Sequence, residues 1–280
     1  MNLHSNVQRL RLLRSGALCA VTMALLAGCS STPPTLSPER IATIVASPDR
    51  APADLVNDVR RKPAEMLLFI GIRPGSVALD VSAARGYTTE LVARAVGPTG
   101  KVYGQNAPRD TTRAPPAQPE GAAAPPMASV AATPAAPTLA ERASKPATAH
   151  IIPVARSFED PAPPEVTSNA LDLVTLMFNY HDLGHLGVDR ARMNSAIFGA
   201  LKPGGLYVIA DHSGRTGTGI SESGTLHRIE EAFVIEEVQS AGFRLVARGD
   251  FMRNPADPRD RNTPEPPMPK DEFVLKFAKP

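Results

Sequence analysis

Two groups of residues in this chain have types and spacings suited to chemistry. The first is Asn179-Tyr180-His181-Asp182, joined later in the chain by Asp211-His212 and His227. An imidazole titrates near neutrality, so it can take or give a proton, and a neighbouring carboxylate or amide can orient it. His181 is therefore the candidate general base, with Asp182 and Asn179 to orient it or a substrate, and His212 to reach the same pocket. A loop histidine bonded only to backbone is the alternative for His181. The same residues with His185 raise the question of a metal. His181 and His185 are four apart, as on one helical face, but Gly184 and Gly187 argue against a helix and no fixed ligand motif is present. No metal is expected. The second group is Asp80-Val81-Ser82-Ala83-Ala84-Arg85-Gly86, an acid followed by small residues that let a backbone come close to a ligand.

The elements around these groups follow from apolar patterning and from Gly and Pro punctuation. Val77 to Val81 is a short apolar run after Pro74-Gly75, which suits a buried parallel strand. A helix from Tyr87 to Val96 stops at Gly97-Pro98-Thr99-Gly100, and Lys101 to Asn106 is the next strand, completing a right-handed βαβ unit. Upstream, Pro38 to Val45 and Ala53 to Phe69 have helical periodicity and predict two lead-in helices, the second broken near Pro63. Downstream, Ile151 to Val154 and Leu171 to Phe178 are strands, Ala191 to Leu201 a helix ended by Lys202-Pro203-Gly204-Gly205, and Leu206 to Ala210 a fifth strand. Leu226 to Ala241 reads as a helix, and Phe243 to Ala247 with Phe273 to Phe277 as a closing antiparallel pair. The alternation predicts a doubly wound, Rossmann-like α/β sheet of about seven strands, whose ligands sit at the carboxyl ends of the strands. Between Ala107 and Ala149 more than half the residues are Ala or Pro, so this stretch reads as a mostly disordered insertion, with Leu139 to Lys145 keeping one helical turn.

The segment Ala78 to Leu91 resembles the first motif of class I S-adenosylmethionine-dependent methyltransferases, in which an acid is followed by glycines at alternate positions and then a helix. Gly97 to Val102, Leu171 to Val174 and Leu201 to Gly205 extend the resemblance over roughly residues 55 to 280. Asn179 to Asp182, Asp211-His212 and Leu226-His227-Arg228 look like a bacterial subgroup of exported methyltransferases. The resemblance implies S-adenosylmethionine as cofactor, with Asp80, Ser82, Ala84, Gly86, Asn106 and Asn179 at its site, and methyl transfer to a small-molecule or envelope-associated acceptor with His181 as base. Asp160 or Glu159 would lie near the adenine. The departures are Ser82 and Ala84 where the family has glycine, and Asn106 where it has the acid that grips the ribose. A neutral acceptor in place of a charged one costs about 1–2 kcal/mol, roughly tenfold in affinity. The site is thus expected to be weakened, and a non-catalytic binding lipoprotein on the same fold is the alternative. Thr88, Thr89 and Glu90 read as ordinary first-turn residues of a helix.

At the amino terminus Arg9, Arg11 and Arg14 precede an apolar run from Ala17 to Ala27, too short for a permanent membrane span. It reads as a signal peptide over 1–28. Leu26-Ala27-Gly28-Cys29 resembles a bacterial lipobox, which implies lipid on Cys29, a tether over 29–37, and a domain over 38–280 anchored to the envelope membrane. Ser30 resembles the choice for the outer membrane, facing the periplasm. An uncleaved anchor, or a signal peptide with a chance cysteine, would export the chain equally. Cys19 would leave with the signal peptide, so the mature chain has no disulfide. A net charge of +2, with Lys and Arg dispersed, excludes the dense basic stripe of a nucleic-acid binder. Changing Cys29 to Ser should move the protein from the membrane to the soluble fraction of lysed cells; unchanged membrane association would refute lipidation at that residue.

Overall fold

Strand β1, Val77–Val81, is the centre from which the sheet is built in this computed structural model, which describes residues 34–108, 135–262 and 268–280. The signal peptide, Cys29, most of the tether and most of the Ala/Pro insertion lie outside the described residues. On one side β1 pairs in parallel with β2, Lys101–Asn106, which pairs with β3, Ile151–Ala155. On the other it pairs with β4, Leu171–Met177, which pairs with β5, Leu201–His212. Two antiparallel strands, β6 (Arg244–Gly249) and β7 (Glu272–Ala278), complete the order β3-β2-β1-β4-β5-β7-β6. This is the expected doubly wound sheet of seven strands. Chain direction across the sheet reverses between β1 and β4, so the crevice for a ligand opens at their carboxyl ends.

The period-two alternation of β1 divides its side chains between the two faces. Ala78 packs in the core of one face, whereas Leu79 and Val81 pack in that of the other. The first core is covered by α1 (Pro38–Val45), α3 (Pro63–Ile70) and α4 (Tyr87–Val96), through Ile41, Leu67, Ile70 and Val92. The second is covered by α7 (Arg190–Ala200) and α9 (Glu231–Ser240), through Met193, Ile197, Val234 and Val238. Three lead-in helices replace the two expected. Pro63 lacks the N–H that a continuous helix would need, and Lys62 at φ 44° separates α2, Pro52–Arg61, from α3.

Two boundaries differ from expectation for tertiary reasons. Strand β5 starts at Leu201, because Leu201 pairs with Leu171 and Leu206 with Leu173, so that Lys202 to Gly205 bulge out of the ladder instead of forming a turn before it. Helix α9 starts at Glu231 and not at Leu226. His227 has φ 51°, Arg228 is buried against Asp257 at 2.8 Å, and Ile229 bridges Ser213. A separate turn, α8 (Ser223–Leu226), precedes them.

The helical turn expected near the end of the insertion is α5, Leu139–Ala143, started by a capping box between Thr138 and Glu141. Leu139 presses on the backbone of two glycines; a Cβ on Gly86 or on Gly104 would stand 2.8 or 2.7 Å from its methyl carbons. Arg142 is fully buried and pairs with Asp54 of α2 at 2.6 Å and with Glu90 of α4, while its Nε donates to the Arg85 carbonyl at 2.6 Å. One guanidinium therefore joins three helices to the loop after β1. Removing it strands the buried Asp54 carboxylate and leaves Glu90 with Arg94 alone, so Arg142→Ala should lower unfolding free energy by about 3–5 kcal/mol in urea titrations. A loss below about 1 kcal/mol, the worth of a surface pair, would contradict this role.

Candidate functional site

Three backbone positions after β1 turn left-handed: Ser82 at φ 59°, Ala84 at φ 50° and Gly86 at φ 85°. A side chain in that region costs about 1–2 kcal/mol, which is why glycine is usual there. Here neighbouring amides hold the turn. Ser82 N–H donates to Gln105 Oε1 at 2.9 Å, Ala83 N–H to the Gln105 carbonyl at 2.8 Å, and Ala84 N–H to Asn106 Oδ1 at 2.8 Å. Asn106 Nδ2 donates back to the Ala84 carbonyl at 3.1 Å, and Gln105, fully buried, donates from Nε2 to the Arg156 carbonyl at 2.6 Å. Asn106, expected from the family to face a ribose, thus commits its amide to the turn itself. Asp160, expected near an adenine, pairs with Arg156.

Asp80 lies under this turn, 2% exposed. Thr89 Oγ1 donates to its Oδ2 at 2.6 Å and Thr175 Oγ1 to its Oδ1 at 2.7 Å. Burial pushes its pKa up to about 6, against the opposing pull of the two hydroxyls and of Arg61. Thr89 therefore does more than fill a helical turn, as does Glu90 through Arg142 and Arg94.

A cavity of about 200 Å³ opens between the turn and α2, lined by Asp80, Ser82, Ala84, Tyr87, Met177 and Arg61 among others. A second, of about 380 Å³, lies across Ala84 and Arg85, against Asn106, Leu139 and Val154. The Arg85 guanidinium reaches over to the Ala136 carbonyl, Nε donating at 2.6 Å. Together the two spaces are of the size that takes a small, elongated molecule. Arg61 makes no ion pair among the described residues; its guanidinium lies 3.9 Å over the Phe178 ring. Burial and the neighbouring Arg60 push its pKa down to about 10. Neither Arg61 nor Gln105 was singled out by motif. The signal for Arg61 is an arginine at the end of an amphipathic helix leading into β1, and for Gln105-Asn106 a pair of amides beside a turn short of glycine.

A wider cleft, about 630 Å³, lies beyond β5 near Ser213 and Gly214. Its Arg248, Arg253 and Arg259 are already paired with Glu231 or Asp271.

The histidine cluster adjoins the turn through one hydrogen bond, Ser82 Oγ to Asn179 Oδ1 at 2.6 Å. Asn179 Nδ2 donates to Asp182 Oδ2 at 2.8 Å. His181 is held from both ring nitrogens, Nδ1 at 2.6 Å from Asp211 Oδ1 and Nε2 at 3.0 Å from Asp182 Oδ1, while its backbone N–H donates to Asp211 Oδ2 at 2.7 Å. Burial alone would lower its pKa, but the two carboxylates outweigh burial and push it up to about 9. His181 thus stands between two carboxylates, Nδ1 bonded to Asp211 and Nε2 turned to Asp182, and not as a free imidazole. Asp182, against the effect of burial, is pushed down to about 2 by His181 and His227. His227 Nδ1 lies 2.8 Å from Asp182 Oδ1 and its side chain is 39% exposed. His185 sits in a short helix, α6 (Asp182–His185), that Gly184 does not prevent, with Nδ1 3.8 Å from Asp182 Oδ1. His212 joins the cluster with its ring 5.3 Å from that of His181; burial lowers its pKa, and its Nδ1 lies 3.0 Å from Glu272 Oε1 without the alignment of a hydrogen bond. The structure thus brings together every histidine and acid proposed for catalysis, and places them next to the turn.

No protein-family model and no curated protein matches the chain by sequence. Solved structures do match its fold. A SAM-dependent methyltransferase from Aquifex aeolicus aligns over 88% of this chain and 100% of its own, at 17% identity and a TM-score of 0.52. The [4+2]-cyclase SpnF aligns over 78% of this chain and 82% of its own, at 15% identity and a TM-score of 0.50. The fold is the Rossmann-like fold of class I methyltransferases.

Burying Asp80 has a measurable cost. Its folded pKa of about 6 lies above the ordinary 3.8, so the folded state keeps a proton that the unfolded chain has lost between those values. Stability falls as pH rises through that window, by about 3 kcal/mol in all. Asp80→Asn should therefore gain on the parent by about that amount between pH 4 and pH 7 in urea titrations. A difference between the two proteins that does not change with pH would contradict the assignment.

Proposed function

We propose that this chain binds S-adenosylmethionine across the turn at Ser82 to Gly86 and transfers its methyl group to a small or envelope-associated acceptor presented at the histidine cluster. The observation that carries this reading is the turn itself: its three positions are left-handed although two of them are not glycine. Strained backbone is retained where function over-determines it. The cavities suit the molecule. Arg61 supplies a cation for the carboxylate of its amino-acid end, Asp80 an acid for the ammonium, and the space beside Asn106, Leu139 and Val154 an apolar floor for the nucleoside.

When bound, the sulfonium supplies an activated methyl group that needs mainly in-line placement of its acceptor. The chain's residues provide that placement. Asn179 spans the two halves of the site, accepting from Ser82 and donating to Asp182. His181 keeps Asp182 and Asp211 fixed beneath the acceptor face. The Leu26 to Cys29 sequence puts this activity on a lipid anchor in the cell envelope, on the outer membrane facing the periplasm. A second reading, a non-catalytic binding lipoprotein, is favoured by Asn106, whose amide is spent on the turn and leaves no acidic grip for a ribose.

Calorimetry with S-adenosylmethionine and S-adenosylhomocysteine decides between these readings. Binding of both in the micromolar range is expected, and Arg61→Ala should weaken each by about 10–100-fold, the worth of a charged hydrogen bond. Absence of heat at millimolar ligand would sink the proposal. Binding without transfer to any acceptor would favour the second reading.

A further inference from the structure

Four of the chain's six histidines stand together at the ends of β4 and β5. Their rings approach in sequence, His212 to His181 at 5.3 Å, His181 to His227 at 5.6 Å and His227 to His185 at 5.6 Å. Three of them aim a nitrogen at one oxygen. Around Asp182 Oδ1 lie His227 Nδ1 at 2.8 Å, His181 Nε2 at 3.0 Å and His185 Nδ1 at 3.8 Å. Ligand atoms of His181, Asp182 and His227 all fall within 4.8 Å of one another.

We infer that His181, Asp182 and His227 form a binding site for a divalent transition-metal ion of the zinc class. Bonds of about 2.0–2.1 Å at tetrahedral angles put ligand atoms about 3.3 Å apart. The separations of the two nitrogens from Asp182 Oδ1, 2.8 and 3.0 Å, reach that value if the side chains open by a few tenths of an ångström. The supports around the ligands match what such a site needs. Asp211 holds His181 Nδ1 from behind at 2.6 Å, which orients Nε2 toward the centre, and Asn179 holds Asp182 Oδ2 at 2.8 Å, which leaves Oδ1 to face it. Two imidazoles with one carboxylate suit zinc, cobalt or nickel, and are too rich in nitrogen for magnesium or calcium. His185, partly exposed and bonded to Ser223 Oγ at 3.0 Å through its ring, stands one short movement from becoming a fourth ligand. With three protein ligands instead of four, the ion keeps a position for an external oxygen or sulfur, as catalytic sites do.

The site stands on its own geometry. Only its use rests on the proposed methyl transfer: an ion joined through Asp182 and Asn179 to Ser82 would bind a hydroxyl or thiol acceptor beside the cofactor turn and favour its anionic form. That narrows the acceptor to molecules carrying a metal-binding oxygen or sulfur.

The test uses the full chain, stripped with a chelator and titrated with zinc or cobalt(II) alone. One equivalent should bind, with a zinc dissociation constant near or below about 1 µM and cobalt visible bands of the intensity given by four- or five-coordinate nitrogen and oxygen ligands. His227→Ala, whose side chain is half-exposed and tolerates truncation, should weaken zinc by about 100-fold and abolish those bands while far-ultraviolet dichroism is unchanged. His150→Ala, a histidine bonded to the Ala93 carbonyl outside the cluster, should change neither. Substoichiometric binding, or unchanged affinity in His227→Ala, would overturn the site. Zinc binding by a protein that fails to bind S-adenosylmethionine would leave the metal site standing and remove the methyl-transfer reading; the converse result would do the opposite.

Discussion

Everything at the carboxyl edge of this sheet depends on how residues 82 to 86 hold a left-handed course without the usual glycines. Each non-glycine residue there raises the energy of the folded backbone, and hydrogen bonds from Gln105 and Asn106, at the end of the neighbouring strand, offset that strain. The turn ends β1, starts α4 through Gly86, and directs Ser82 Oγ at Asn179. The cavity beside Asp80 and the position of the histidine cluster both follow from it. Ser82 and Ala84 are thus compatible with a ligand-cradling turn provided that the strand beside it supplies amides, and this chain does.

Buried charge is the second organising feature. Arg142 ties α2, α4 and α5 together, and His181 ties the loop after β4 to Asp211 on β5. In each case one side chain answers two carboxylates, so its loss would leave buried acids short of a partner. Asp80 is different, its oxygens bonded by Thr89 and Thr175 and its nearby Arg61 in no ion pair among the described residues. A buried acid and a buried guanidinium on the walls of one cavity are costly to fold and suited to a zwitterionic ligand. Stability and function diverge there.

Much of this was legible because it is local. The bounds of β1, α4 and β2 follow from an apolar run, a glycine stop and a second apolar run within thirty residues. The capping box of Thr138 and Glu141 likewise marks α5 at the edge of a stretch with no other periodicity. What escaped depends on partners far along the chain. Glu90 reads as a first-turn acid until Arg142 arrives from fifty-two residues away, and His181 reads as a free base until Asp211 arrives from thirty. Asn106 matches a family position by sequence, yet its amide turns to Ala84, because the turn without glycine needs it more. The start of α9 was misplaced for the same kind of reason, since Arg228 is drawn to Asp257 and leaves the helical path.

The central claim is that the turn from Ser82 to Gly86 is a ligand cradle and not a remnant. The most direct measurement is the change in backbone amide resonances when S-adenosylhomocysteine is added to the isotope-labelled protein. Binding across the turn would give saturable shifts at Ser82, Ala84 and Gly86 and at the Arg61 side chain, with the resonances of the cleft near Arg248 and Arg253 unmoved. Shifts confined to that other cleft, or none at millimolar ligand, would contradict it.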